Sequence, residues 1–237
     1  MARSPLPPPP KPSDGGPVAA PPDTALRVQI LATEHWSLLA SRSTTQSEVL
    51  TRIAMFLTFV SASLLSLALV GNATQFTGNF TLYALSILSV AVVIGVLTQF
   101  RVTNASMEDL MYVIAMNRLR AEYARLAPGV ERGFMSSMHD DRAGSERTYY
   151  FFAPHGRRTH VAGSSMVFII AVNSALFGLL TATIFVIAGA MTMVAAIAGL
   201  VAVLVFFTAF VWLSAGPYFA AWKDHTPLSP SPTDPKS

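Results

Sequence analysis

The 48 residues "IAMFLTFVSASLLSLALVGNATQFTGNFTLYALSILSVAVVIGVLTQF", 53–100, contain no Asp, Glu, Lys or Arg. A bilayer core of about 30 Å is crossed by about 20 helical residues, so this tract holds two spans and a turn rather than one span. The turn falls at "NATQFTGN", 72–79, where Asn, Gln, Gly and Thr interrupt the hydropathy. A second uncharged tract of 64 residues lies between Arg158 and Lys223. It divides near Gly189 into spans at about 164–187 and 191–213. The spacing predicts an all-α, polytopic transmembrane protein of four spans, arranged as two helical hairpins.

Composition agrees. The 237 residues are 52% hydrophobic and 12% charged, with mean hydropathy +0.48. A soluble domain carries about 25% charged residues. There is no cysteine, which excludes disulfides and thiolate zinc sites. The net charge of +3 and the lack of helix-turn-helix or RNP-type patterning point away from nucleic acid. The start "MARSPLPPPPKP" has no apolar core of a secretory signal, so the first span is expected to direct insertion.

Orientation follows from the cations, because Lys and Arg in short loops resist translocation. Five of the 16 precede residue 53, none lies in 72–79, nine lie in 101–163, none lies near 189 and two lie in the tail. Both termini and the middle segment are thus expected in the cytoplasm of a cell-membrane protein. Trp212 and Trp222, flanking Tyr218 and Phe219, fit the inner lipid interface. Arg157 and Arg158 fit it too, as simple anchors beside anionic headgroups rather than a specific lipid site.

The domain plan is a Pro-rich disordered tail at 1–23, a pre-span helix at 24–52, one hairpin at 53–100, a helix and loop at 101–163, a second hairpin at 164–215, and an interfacial aromatic segment with a disordered tail at 216–237. Within the middle segment, "SMED" at 106–109 reads as a capped helix start, and Pro128-Gly129 as its end. Tyr112, Met116, Leu119, Tyr123 and Leu126 recur at steps of three and four, a single apolar stripe. It can bury itself on the protein or its oligomer, on the membrane, or on a cytoplasmic protein partner.

Three features invite chemistry. His139, Asp140 and Asp141 could ligate a divalent cation, although adjacent Asp residues followed by Arg and Gly more commonly form a solvated turn. Asn173 is the strongest polar side chain at bilayer depth, where no ionisable residue occurs. With Ser174 and Gly178 it reads as helix-packing glue, or else as part of a pore lining. Asn72-Ala-Thr and Asn79-Phe-Thr match glycosylation sequons on the loop expected outside. No G-x-S-x-G, H-E-x-x-H or Walker loop is present, so neither enzyme nor cofactor is expected.

The stretches "LATEHWSLLASRS", "QSEVLTRIAMFLTFVSASLLSLALVG", "MNRLRAEYARLAP" and "FMSSMHDD" together resemble a family of uncharacterised four-span integral membrane proteins from high-GC Gram-positive bacteria, over roughly residues 30–215. That resemblance implies a bacterial cell membrane and the same topology, and no activity. The expected role is a self-associating scaffold or sensor working through its cytoplasmic helices; the alternative is an oligomeric channel lined by Ser, Thr and Asn.

Overall fold

The computed structural model describes residues 22–150 and 163–232. Its described secondary structure is all helical: α1 Pro22–Thr74, α2 Phe80–Leu126, a single 3-10 turn Val130–Gly133, α3 Arg142–Tyr149, α4 Ser165–Ile187 and α5 Thr192–Asp224. Four of these, α1, α2, α4 and α5, are long and apolar enough to cross a membrane. Of the Pro-rich tail expected at 1–23, residues 1–21 lie outside the described residues, as do Arg157 and Arg158, while Pro22 and Asp23 already belong to α1.

The helix boundaries differ from the sequence plan in three places. α1 is one unbroken helix of 53 residues, so the helix expected at 24–52, which the sequence allows to continue, runs straight into the first span as a single rod. α2, with 47 residues, likewise runs through the expected break after residue 100. Ser106 is therefore no helix cap; its hydroxyl donates back to the Val102 carbonyl at 2.9 Å. The physical reason is that 101–126 contains neither Gly nor Pro, so nothing in its polar composition stops a helix already propagating from the apolar side. At 1.5 Å per residue, 22–52 and 101–126 extend about 46 Å and about 39 Å beyond the uncharged tract. Finally, α5 continues past 213 and through Pro217 to Asp224. Pro217 lacks the N–H that would bond one turn back, a loss a helix tolerates when its surroundings hold it.

Both turns between neighbouring apolar helices use one device. After α1, Phe76 N–H bonds the Gly71 carbonyl at 2.8 Å and Gln75 N–H the Asn72 carbonyl at 3.3 Å. After α4, Ala190 N–H bonds Phe185 and Gly189 N–H bonds Val186, both at 3.0 Å. These are paired six-to-one and five-to-two bonds around a left-handed residue. That residue is Gly189 (φ 80°) in the second turn but Gln75 (φ 52°) in the first.

α2 is the central helix, packed against α1 and α4, while α4 packs on α5. Its buried face, Ala84, Leu88, Ala91, Gly95, Thr98, Val102 and Ala105, advances by alternate steps of four and three. Small residues on this stripe let the helix axes approach. At Gly95 an added Cβ would stand 2.0 Å from Asn173 Oδ1 and 2.8 Å from Phe56, so α1, α2 and α4 converge there. Val49, Ile53, Phe56, Val60, Leu88, Ile169 and Leu176 complete this core.

Candidate functional site

Within the apolar half, Asn173 and Ser174 are 1% and 0% exposed. Asn173 Nδ2 donates to the Gly95 carbonyl at 2.8 Å and to Gln99 Oε1 at 2.9 Å, tying α4 to α2. Its Oδ1 has no conventional partner among the described residues and lies where the Gly95 side chain would be, beside weakly polar Cα–H groups. Ser174 returns its hydroxyl to Ile170. Gly178 faces Gly199 of α5 so closely that an added Cβ on either would stand 2.8 Å from the other's carbonyl oxygen. All three residues sit at contacts inside one chain.

Where α1 and α2 leave the apolar tract, the sequence supplies charge on facing sides of both rods. Arg101 donates to Glu48 of α1 at 2.9 Å and to Glu108 of α2 at 2.7 Å. Hydrogen bonds from Arg101 first, and from Arg52 second, lower the Glu48 carboxyl from 4.5 to about 2. One turn further along, Asp109 accepts from Arg42 Nε at 2.6 Å, Gln46 at 3.0 Å and the Tyr149 hydroxyl at 2.6 Å. Burial, reinforced by Asp109, pushes the Tyr149 phenol well above its ordinary value. Glu108 and Asp109 therefore fasten α1 to α2, where the sequence suggested a helix start.

Beyond this brace, the stripe on α2 is covered by the chain itself. Met116 and Leu119 are buried, and Tyr112, Tyr123 and Leu126 half-buried. The Tyr123 hydroxyl donates to Leu31 O at 2.9 Å and its ring stacks on His35 of α1. The stripe is thus not a face left open for a partner: α1 is long enough to lie along it. On the other face of α2, Arg125 pairs with Glu122 three residues before it, and Arg118 turns to Asp140.

The His139-Asp140-Asp141 corner is the most elaborate polar construction in the molecule. Asn117, fully buried on α2, donates to the His139 carbonyl at 2.8 Å and accepts from Arg120 and Thr148. Asp141, in extended backbone, caps α3 by accepting from Gly144 N–H at 2.7 Å. Gly144 is required because a Cβ there would stand 2.2 Å from the His139 oxygen. Asp140 is 0% exposed and accepts from Arg118 Nε at 2.6 Å, Leu228 N–H at 3.0 Å and Ser229 N–H at 2.7 Å. Asp141 accepts the N–H of Ser231 at 2.7 Å and its hydroxyl at 2.8 Å. Asp140 N–H donates to Ser229 O at 3.1 Å, and His225 Nε2 lies 2.8 Å from the Asp140 carbonyl. Burial opposes ionisation of both carboxyls, yet these donors outweigh it and hold both below their ordinary values.

This corner corrects two expectations. It is not a solvated turn: the Asp140 and Asp141 carboxylate oxygens are already committed to protein donors, which leaves the His139-Asp140-Asp141 set little free ligating capacity. Nor is the C-terminal segment wholly free, since 225–231 is bound along the corner. At the expected lipid interface, Trp212 is 81% exposed, whereas the Trp222 indole Nε1 is buried and its ring lies edge-on to His225.

Sequence reasoning missed Asn117, Arg101, Glu48 and Arg42. For the last three a signal existed in the charges bordering the uncharged tract. For Asn117 there was none, because nothing local marks which Asn will be buried. No family model matches this chain, and no curated protein or solved structure is found to be similar to it.

Proposed function

We propose that this chain is a multi-pass protein of the bacterial cell membrane, with both termini cytoplasmic, and that it is a self-associating scaffold or sensor rather than an enzyme. The observation that carries this reading is the pair of rods: α1 and α2 continue from apolar into polar sequence without a break and are cross-braced there by Arg101 and Asp109. Such a rigid extension transmits displacement of the spans to the polar half, or holds a surface at fixed height above the bilayer. The face of α1 bearing Trp36 (70% exposed) and Leu39 supports self-association. Orientation rests on the Lys and Arg distribution, and the bacterial source on the resemblance described above.

A pore needs polar side chains converging on an oligomer-facing wall. Asn173, Ser174 and Gly178 are instead used up in contacts between α2, α4 and α5 of one chain, which counts against that reading. The test is reconstitution of purified protein into liposomes, with ion flux and site-directed crosslinking at Trp36→Cys measured together. Crosslinked oligomer without flux above empty liposomes is expected. Saturable, ion-selective flux altered by Asn173→Ala would overturn the proposal.

A further inference from the structure

We propose that the Asp140–Asp141 corner is a peptide-binding site and that residues 225–231 are its resident, exchangeable occupant. The ligand class is a short, uncharged, non-helical segment offering free backbone N–H groups, with a hydroxyl on its last contact residue.

The corner does not need the tail to keep its shape. Asp141 is fixed by capping α3 through Gly144, Asp140 by Arg118, and the carbonyl between them and α2 by Asn117. The tail, conversely, brings no large apolar anchor: Leu228 is 68% exposed, Thr226, Pro230 and Pro232 are exposed, and only Pro227 among its apolar residues is half-buried. Its attachment rests on the N–H groups of Leu228, Ser229 and Ser231, the Ser231 hydroxyl and His225. Charge-assisted hydrogen bonds of this kind are specific in geometry yet reversible, because water replaces them when the segment leaves.

The sequence of the occupant suits the site. Pro230, at the one position between contacts where no N–H is used, lacks that donor anyway. Pro227, Pro230 and Pro232 restrict the free segment, so less conformational entropy is lost on binding. Two neighbouring carboxylates repel any segment with negative charge at the Ser231 position, which sets selectivity by sign.

The experiment uses the full chain in nanodiscs, with three of the tail's donors, the Ser229 and Ser231 N–H groups and the Ser231 hydroxyl, removed by Ser229→Pro and Ser231→Pro so that the corner itself is untouched. A fluorescent peptide of residues 225–232 is then titrated against this variant and the natural chain. Binding at least ten-fold tighter to the variant is expected, because the natural chain fills its own site. Asp141→Asn in the variant background, or a peptide carrying Glu at the Ser231 position, should weaken binding ten-fold or more. Equal binding to both chains, or no binding to a variant that keeps its helical circular dichroism and single elution peak, would overturn the proposal.

Discussion

Where α4 crosses α5, Gly178 and Gly199 bring two backbones together with no charge nearby. Where the C-terminal segment crosses the loop before α3, Asp140 and Asp141 collect a guanidinium, four backbone N–H groups and a hydroxyl. The first contact depends on shape and the second on hydrogen-bond direction. The difference follows from the surroundings. Among apolar helices in lipid, burial offers little preference for helix over lipid, so close approach of small residues has to supply the attraction. In the polar half, a fully buried carboxylate is tolerable only if every oxygen is met by donors.

The comparison can be broken most forcibly at the glycines. Gly199→Leu should drive α4 from α5 at a cost of about 3 kcal/mol, the upper part of the overpacking range, read as loss of resistance to denaturing detergent. Gly216→Ala, where nothing lies within 4 Å of the added Cβ, should leave that resistance intact. At the corner, Asp140→Ala strands Arg118 and two N–H groups, and should lower stability by about 2–3 kcal/mol, given that Arg118 keeps partial access to water. Thermal unfolding of the polar half, followed by proteolysis of the C-terminal segment, measures it.

Two smaller effects sharpen the contrast. Asn173→Ala removes two interhelical hydrogen bonds in the apolar half and should cost about 1 kcal/mol, showing how little polar bonding contributes there beside packing. The Glu48 brace is electrostatic and therefore pH-dependent. Its folded carboxyl, about 2, lies below the 4.5 of the free group, so its stabilisation is complete above 4.5 and is lost as pH falls towards about 2. Glu48→Gln should lower stability most at neutral pH, flatten the unfolding profile across that window, and cost least once the pH has fallen to about 2. The smallest change is in the turn: Gln75→Gly, at φ 52°, should stabilise by about 0.5–1 kcal/mol by relieving the left-handed backbone.

How much of this was legible in the sequence depended on range. The two uncharged tracts and their turns at 72–79 and Gly189 were readable, because hydropathy and turn chemistry are local. The small-residue spacing of Ser174 and Gly178 was readable in the sequence; Gly178 meets Gly199 of α5, and Ser174 is fully buried with its hydroxyl returned to its own helix. The rod lengths were not. Polarity changes sharply at Arg52 and Arg101, and a change of solvent resembles a change of element although the backbone continues through both. The corner was least legible, since Asp140 and Ser229 are far apart in sequence and only the fold makes them neighbours.

Four helices are long and apolar enough to cross the bilayer, and the proposed topology puts the braced rods and the tail on its inner side. Because the chain has no natural cysteine, single cysteines report position without background. The direct measurement is labelling of Asn79→Cys, Met191→Cys, Thr44→Cys and Ser136→Cys by a membrane-impermeant maleimide, in intact expressing cells and in inverted vesicles. Labelling of 79 and 191 only from outside, and of 44 and 136 only in inverted vesicles, is the expected result. Labelling of 44 or 136 from outside, or of 79 and 191 from opposite sides, would contradict it.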